Sequence, residues 1–391
     1  MQVLSRDPLF ARITPVLKSL SPPVNGRSVL QVEVVPPKFL DVSFSNNSPP
    51  SIGSTRAEVG LQFGSLATDG DVISASIGFD PVNLSGTRGF NIFNLGYRLP
   101  LSVRDNALLL RLEARREKII QEPFNAFDFQ AESQLYEVTY RHPLIRTATN
   151  EFAVSLGFTH QNGQTFVFNE IPFPFGIGPN AEGISRTSVI KFVQEYLHRD
   201  DLVTWVLRSQ FNFGTGLFNA TRNPDPIPDG RFFSWLGQAQ RVQRLFNNLL
   251  IVQAEVQLSP NSLLPSQQYV IGGTQSVRGY RQNVRLGDNG ARLSTEYRWN
   301  LRTRSRNDGT REPILQLAPF VDAGIVWNRP NTPNRLPRQT FLAGIGMGLL
   351  WQTWVRGLTL RLDYALPLVN LRDRGNDLQD NGFYFSLNYQ L

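Results

Sequence analysis

The residues of this 391-residue chain best placed to do chemistry are one arginine and two acids, Arg278, Glu296 and Asp322. Arg278 stands in Ile271-Gly-Gly-Thr-Gln-Ser-Val-Arg-Gly-Tyr280, where Gly272, Gly273 and Gly279 mark a tightly folded, non-helical backbone. No acid lies beside it in sequence, so a partner must come from elsewhere. A planar guanidinium can hold one carboxylate with two hydrogen bonds. The chemistry on offer is therefore ion pairing, an anchor rather than a bond-making centre. Other chemistries find little support. The chain has no Cys, and its three histidines, His142, His160 and His198, fall in different predicted hairpins. There is no Gly-x-Ser-x-Gly, no phosphate loop, and no carboxylate pair with a partner that would make it an acid or base. Catalytic, cofactor-binding and metal-ligating residues are expected to number none. The acids of Asn223-Pro-Asp-Pro-Ile-Pro-Asp-Gly230 read as part of a rigid proline-rich surface loop rather than a calcium site.

Three alternating runs must position the anchor. In Ala291–Trp299, Leu293, Thr295, Tyr297 and Trp299 share one face, and Arg292, Ser294, Glu296 and Arg298 the other. In Phe320–Trp327, Phe320, Asp322 and Gly324 oppose Val321, Ala323, Ile325 and Trp327. Period two puts each set on one side of a sheet, so both acids point away from the apolar side. In Gly344–Trp351, Gly344, Gly346 and Gly348 line that same kind of face. Three such glycines leave a trough where another backbone can come close. The expectation is that the Arg278 loop folds back over this trough to meet Glu296 and Asp322.

From Lys38 onward the chain reads as strands and turns. Candidate strands fall near 38–46, 54–64, 71–80, 87–101, 107–115, 132–142, 149–161 and 187–199. Others fall near 201–213, 232–245, 248–259, 290–301, 313–327, 339–354, 357–367 and 382–391. That makes 16, the even number of an antiparallel barrel whose ends meet. A soluble sandwich shows the same alternation, but strands of ten or more residues suit a bilayer, which takes about 9–11 tilted residues. Trp205, Trp299, Trp327, Trp351 and Trp354 fall near strand ends, as an aromatic girdle requires. Asp69-Gly70, Arg199-Asp200 and Phe246-Asn247 read as tight turns, while 164–186, 214–231, 260–289 and 368–381 are long linkers. Net charge is +7, from 39 Lys and Arg against 32 Asp and Glu. The arginines are scattered singly along alternating strands, which fits the wall of a polar channel and speaks against nucleic acid.

Residues 1–36 read differently. Asp7-Pro8 signals a helix start, Leu9, Ile13, Val16, Leu17 and Leu20 have roughly helical spacing, and Pro15 limits the helix. A turn over 21–26 and a strand from Ser28 to Val35 follow. No run of about 18 apolar residues and no signal peptide is visible, so the sequence is expected to begin inside a longer precursor. At the other end, Phe383, Phe385, Leu387, Tyr389 and Leu391 oppose Tyr384, Ser386, Asn388 and Gln390.

Taken in order, Gly-Gly…Val277-Arg278-Gly279-Tyr280, Gly287-Asp-Asn-Gly290, the Phe320-x-Asp322-x-Gly324 strand and the Gly344-x-Gly346-x-Gly348 strand resemble the superfamily of outer-membrane TpsB and BamA proteins. Within it, the Arg6–Arg12 segment, the Pro228–Phe233 segment and Leu362–Leu368 look more like TpsB. The resemblance implies an all-β protein: a 16-stranded antiparallel transmembrane β-barrel over 37–391, preceded at 1–36 by the C-terminal part of a periplasmic POTRA domain. It implies a lumenal loop tip at Gly272, Gly273, Val277, Arg278, Gly279 and Tyr280. The matching wall positions are Glu296, Phe320, Asp322, Gly324, Gly344, Gly346 and Gly348. The implied function is a monomeric pore in the lipids of the bacterial outer membrane. It would secrete an unfolded, TpsA-like partner without ATP or cofactor; any plug helix, which can occupy the lumen in this family, would lie upstream of Met1. The alternative is a BamA-like insertase that assembles other barrels; a passive porin does not account for the loop motif. The C-terminal strand resembles a barrel-targeting signal, with Leu391 where an aromatic is usual.

Overall fold

The computed structural model describes residues 12–19, 28–35, 38–82, 89–102, 105–168, 170–305, 311–353 and 355–391. Expectations for residues 1–11, the turn at 21–26 and Trp354 lie outside them.

Sixteen long strands close into one antiparallel barrel. In chain order these are β1 (Lys38–Ser45), β2 (Arg56–Gly64), β3 (Val72–Phe79), β4 (Phe90–Pro100), β5 (Ala107–Lys118), β6 (Gln130–Arg146), β7 (Asn150–Val167) and β8 (Ile184–Arg199). They continue as β9 (Val203–Thr215), β10 (Phe233–Leu245), β11 (Asn248–Leu258), β12 (Asn289–Ser305), β13 (Arg311–Trp327), β14 (Phe341–Gln352), β15 (Leu358–Pro367) and β16 (Phe383–Gln390). Each of the 16 expected strands is present. The wall closes where β16 meets β1 through five residue pairs, Ser386↔Ser45 to Gln390↔Asp41. A two-residue strand, Ile171–Pro172, adds to β7, and Tyr269–Ile271 pairs with Arg285–Gly287 within the long loop after β11.

Alternation decides which way each side chain faces. Val59, Leu61, Leu112, Val138, Ile345, Met347 and Leu349 are exposed on the outer wall, as lipid-facing residues must be. Polar partners such as Gln210, Asn212, Ser234, Gln257 and Gln316 are buried on the inner face. Ion pairs also line that face, including Lys191–Glu137 at 2.6 Å and Arg115–Glu117 at 3.0 Å. The apolar cluster with the most members lies inside the barrel's outer end, where Tyr269, Ile271, Val277 and Tyr280 of the loop pack on Val326 and Leu342 of the wall.

Several strands run further than the alternation predicts: β6, β7, β12 and β13 reach 17, 18, 17 and 17 residues. Only about 9–11 residues are needed to cross. Beyond the bilayer a strand needs no apolar face, so the pattern fades while the ladder continues.

The N-terminal expectation needs correction. Arg12–Ser19 is a strand, paired antiparallel with Ser28–Val35 from Arg12↔Val35 to Ser19↔Ser28, and not part of a helix. Pro15 lacks the N–H a helix interior requires, and Ile13, Thr14 and Val16 are β-branched. The adjacent valine-rich strand gives them a ladder instead.

Candidate functional site

The loop 259–288, between β11 and β12, turns back into the barrel and lays its tip on β12, β13 and β14. The Arg278 side chain is 6% exposed and those of Asp322 and Glu296 are 1% and 8% exposed. Arg278 Nε donates to Asp322 Oδ2 at 2.7 Å and Nη2 donates to Oδ1 at 2.9 Å, the two-bond fork. The Arg278 backbone N–H adds a third bond to Asp322 Oδ2 at 3.1 Å. Arg278 Nη1 reaches Glu296 Oε2 at 2.8 Å. Its guanidinium carbon sits 3.3 Å from the Phe320 ring centroid, so the cation also faces an aromatic quadrupole. The register explains the convergence: Ser294 pairs with Asp322 and Glu296 with Phe320 across β12 and β13, so all four side chains project from one patch of inner wall.

The acids are themselves held. Ser294 Oγ donates to Asp322 Oδ1 at 2.6 Å. Glu296 accepts from Arg298 Nε at 2.7 Å and from Arg361 Nη2 at 2.7 Å, and Arg361 Nε donates to Asp363 at 2.8 Å. The wall thus presents alternating charge to the loop, Arg298, Glu296, Arg361 and Asp363 in turn. On the loop, Gly279 has φ +102, and its N–H donates to Tyr384 Oη at 2.8 Å. Tyr384 Oη in turn donates to the Tyr280 carbonyl at 2.7 Å. Tyr280 Oη donates to the Ala343 carbonyl at 2.7 Å and accepts from the Val369 N–H at 3.1 Å.

The glycine face divides its work. A Cβ on Gly344 would collide with the Arg278 carbonyl oxygen, so this residue does admit the loop backbone. Gly324 makes room for the Val277 side chain. Gly346 and Gly348 do not receive the loop: a Cβ on Gly346 would meet the Tyr364 carbonyl of the next strand and the Phe320 ring, and one on Gly348 the Asp363 carboxylate. The expected three-glycine trough is one glycine of trough, while the other two clear neighbouring wall atoms. Gly272 and Gly273, with φ +111 and +90, shape the turn before the tip, where Gly273 N–H donates to the Val277 carbonyl at 3.0 Å.

A second set of contacts, which sequence reasoning missed, clasps the loop from above. Arg281 Nε donates to Asp380 at 2.9 Å, and Arg285 forks onto Asp373 at 2.9 and 2.7 Å. Gln379 accepts from the Gln282 N–H at 2.8 Å while donating to the carbonyls of Asn46 and Ser48 at 2.6 and 2.7 Å. Burial alone would raise the Asp380 carboxyl, but Arg281 and backbone N–H groups hold it below the ordinary Asp value. The Arg285 fork does the same for Asp373. Tyr384, Arg361 and Asp363 were visible only as polar members of alternating strands. Among the described residues no group of His, Asp and Glu could hold a metal ion.

Between residues 26 and 350 the sequence matches the family of haemolysin secretion/activation proteins ShlB/FhaC/HecB. The chain belongs to this family. Its fold is that of CdiB from Escherichia coli, at TM-score 0.79 and 17% identity over 100% of this chain and 69% of that one. CdiB from Acinetobacter baumannii gives 0.69 at 17% identity, over 98% and 66% of the two chains. BamA from Haemophilus ducreyi lacking POTRA domains 1-3 superposes more loosely, at 0.62 and 13% identity, over 99% of this chain and 77% of that one. A search of curated proteins finds no match. As a member of the family, the protein is an outer-membrane β-barrel transporter of two-partner secretion, its short turns toward the periplasm and its long loops outside.

Proposed function

We propose that the barrel passes an extended, unfolded partner polypeptide through its polar lumen, and that the Arg278 loop, seated on β12–β14, is the element this traffic must accommodate. The observation that carries the reading is the buried fork of Arg278 on Asp322 inside a wall otherwise lined by polar and paired charged groups. A loop held by ion pairs rather than woven into the sheet can be released without breaking the barrel. Residues 1–36 are read as the end of a POTRA module and 37–391 as the barrel. The module would take an amphipathic partner segment by strand addition. Folding of the partner outside supplies direction, so the protein needs no ATP, cofactor or catalytic residue, and it works as a monomer in outer-membrane lipid. The test is export of the partner by cells carrying Arg278→Ala or Asp322→Ala. Both should secrete poorly while the barrel assembles normally, and undiminished export by both would overturn the reading.

A further inference from the structure

We propose that the outer wall carries a binding site for an acidic glycerophospholipid of the periplasmic leaflet, centred on Arg241 stacked against Trp205. Arg241 pairs with Trp205 of β9 and with Val252 of β11, and all three belong to the outward, lipid-facing set of their strands. Its guanidinium carbon lies 5.0 Å from the Trp205 ring centroid. One step further from the turn the outward residues are apolar, Leu207 on β9, Ala239 on β10 and Ala254 on β11, while toward the turn Val203 and Leu250 flank Gln243. Among the described residues, Arg241 has no acid and no acceptor: its Nε is buried without a hydrogen-bond partner, and neither Nη group makes a hydrogen bond or ion pair. Five donors are thus left unanswered by the chain. The contrast with the outward arginines near the outer rim is plain. Arg116 has Glu132 and Glu170, and Arg186 has Asn162.

Depth selects the ligand. Arg241 lies four residues before Leu245, the last residue of β10, and Trp205 is the third residue of β9, so both sit toward the short-turn end. Four residues of tilted strand rise roughly 10 Å, within reach of the headgroups for a long side chain that extends toward the interface. A cation on the lipid face is costly in proportion to its depth, and a phosphate oxygen removes that cost. The aromatic ring fixes the guanidinium plane and presents the apolar belt that accompanies headgroups. His198 continues the same row on β8, opposite Trp205, but its nitrogens are taken by Asn150 at 2.8 Å and Asp200 at 3.2 Å. The free donors are therefore those of Arg241. A lipid with net negative charge fits better than a zwitterionic one, whose own ammonium competes for the phosphate. An acyl chain would lie along Val252, Ala254 and Val256, which lead away from the short turn into the bilayer.

This inference rests on the orientation in the outer membrane, not on the export reading, and its test needs no partner protein. The purified barrel, stripped with detergent, is titrated with phosphatidylglycerol or phosphatidylethanolamine of matched chains, and bound lipid is counted by native mass spectrometry. Folding of each variant is verified by heat-modifiable gel migration. The wild type should retain one phosphatidylglycerol about tenfold more tightly than Arg241→Gln, the scale of one charge-assisted hydrogen-bonded contact. Arg241→Lys should recover part of the difference, and phosphatidylethanolamine should show little. Equal retention by wild type and Arg241→Gln overturns the proposal. So does equal retention of both lipids by the wild type, or displacement of the bound lipid by lipopolysaccharide alone.

Discussion

Removing the Arg278 side chain should unseat the loop rather than the barrel, and the size of the effect can be worked from the bonds it makes. Arg278→Ala deletes the two-bond fork to Asp322 and the bond to Glu296, and it leaves the backbone bond to Asp322 in place. Breaking a buried charge pair by deleting one partner costs about 3–5 kcal/mol, chiefly through the charge left unpaired. Here the residual cost falls on Asp322, which keeps only Ser294 Oγ and the loop's own N–H. Glu296 keeps Arg298 and Arg361. A cavity borders this patch, lined by Ser294, Glu296, Arg298 and Arg361, and water entering it would screen the charge left behind, so about 2–3 kcal/mol of loop seating, below that range, is the expected loss. The assay is amide exchange of residues 272–282 in the detergent-purified barrel. Arg278→Ala should accelerate it by roughly 30- to 150-fold, since 1.4 kcal/mol is tenfold. Asp322→Ala should act similarly, and the double variant should be little worse than either single one because both break one contact. Arg278→Ala combined with Glu296→Ala should come closer to additive, since Glu296 serves two further arginines. Fully additive losses for Arg278 and Asp322, or unchanged exchange in Arg278→Ala, would refute the reasoning.

Three other outcomes follow from the same geometry. Tyr384→Phe removes the hydroxyl that bridges Gly279 N–H and the Tyr280 carbonyl. Leaving such groups unsatisfied costs about 1–3 kcal/mol, so exchange at Gly279 should rise by one to two decades with the barrel's unfolding temperature unchanged. Gly344→Ala places a methyl against the Arg278 carbonyl and should displace the tip with Arg278 and Asp322 both intact, whereas Gly346→Ala should press on the Tyr364 carbonyl of β15 and the Phe320 ring. Labelling of Thr274→Cys in each background distinguishes the two. The outer clasp should be acid-labile only at low pH. Asp373 and Asp380 are both held below the ordinary 3.8, so their contribution is complete above about pH 4 and is lost as pH falls through the lowered values. Protease cleavage within 368–382 should therefore be flat from neutral pH to about pH 4 and rise below it. A rise already near pH 6 would contradict the assignment.

The barrel was legible because a lipid-facing wall forces period-two alternation, and each strand that crosses carries it. Where strands leave the bilayer, as at the ends of β6 and β7, that force disappears and so does the signal. Residues 12–19 misled because spaced aliphatics after an Asp-Pro pair satisfy a helical template locally, while the strand that claims them starts at Ser28. The anchor was legible because Arg278, Glu296 and Asp322 lie within 45 residues on elements adjacent in the sheet. Tyr384 stands 105 residues from Gly279 and Arg361 stands 65 from Glu296. Those contacts depend on how β12–β16 curve around the lumen, which alternation does not encode. The clasp of Arg281 and Arg285 on Asp380 and Asp373 joins two long loops, and the three-residue strand that holds Arg285 is too short to show a period.

The most direct test of the central claim is translocation in proteoliposomes holding the purified protein in its longest natural form. The cognate exoprotein is added unfolded from urea, and its protection from external protease is measured alongside Arg278→Ala vesicles. The account predicts that wild-type vesicles protect the exoprotein without ATP and that Arg278→Ala vesicles protect much less. Vesicles that leave the exoprotein fully cleavable, yet speed the insertion of an added outer-membrane barrel, would contradict it.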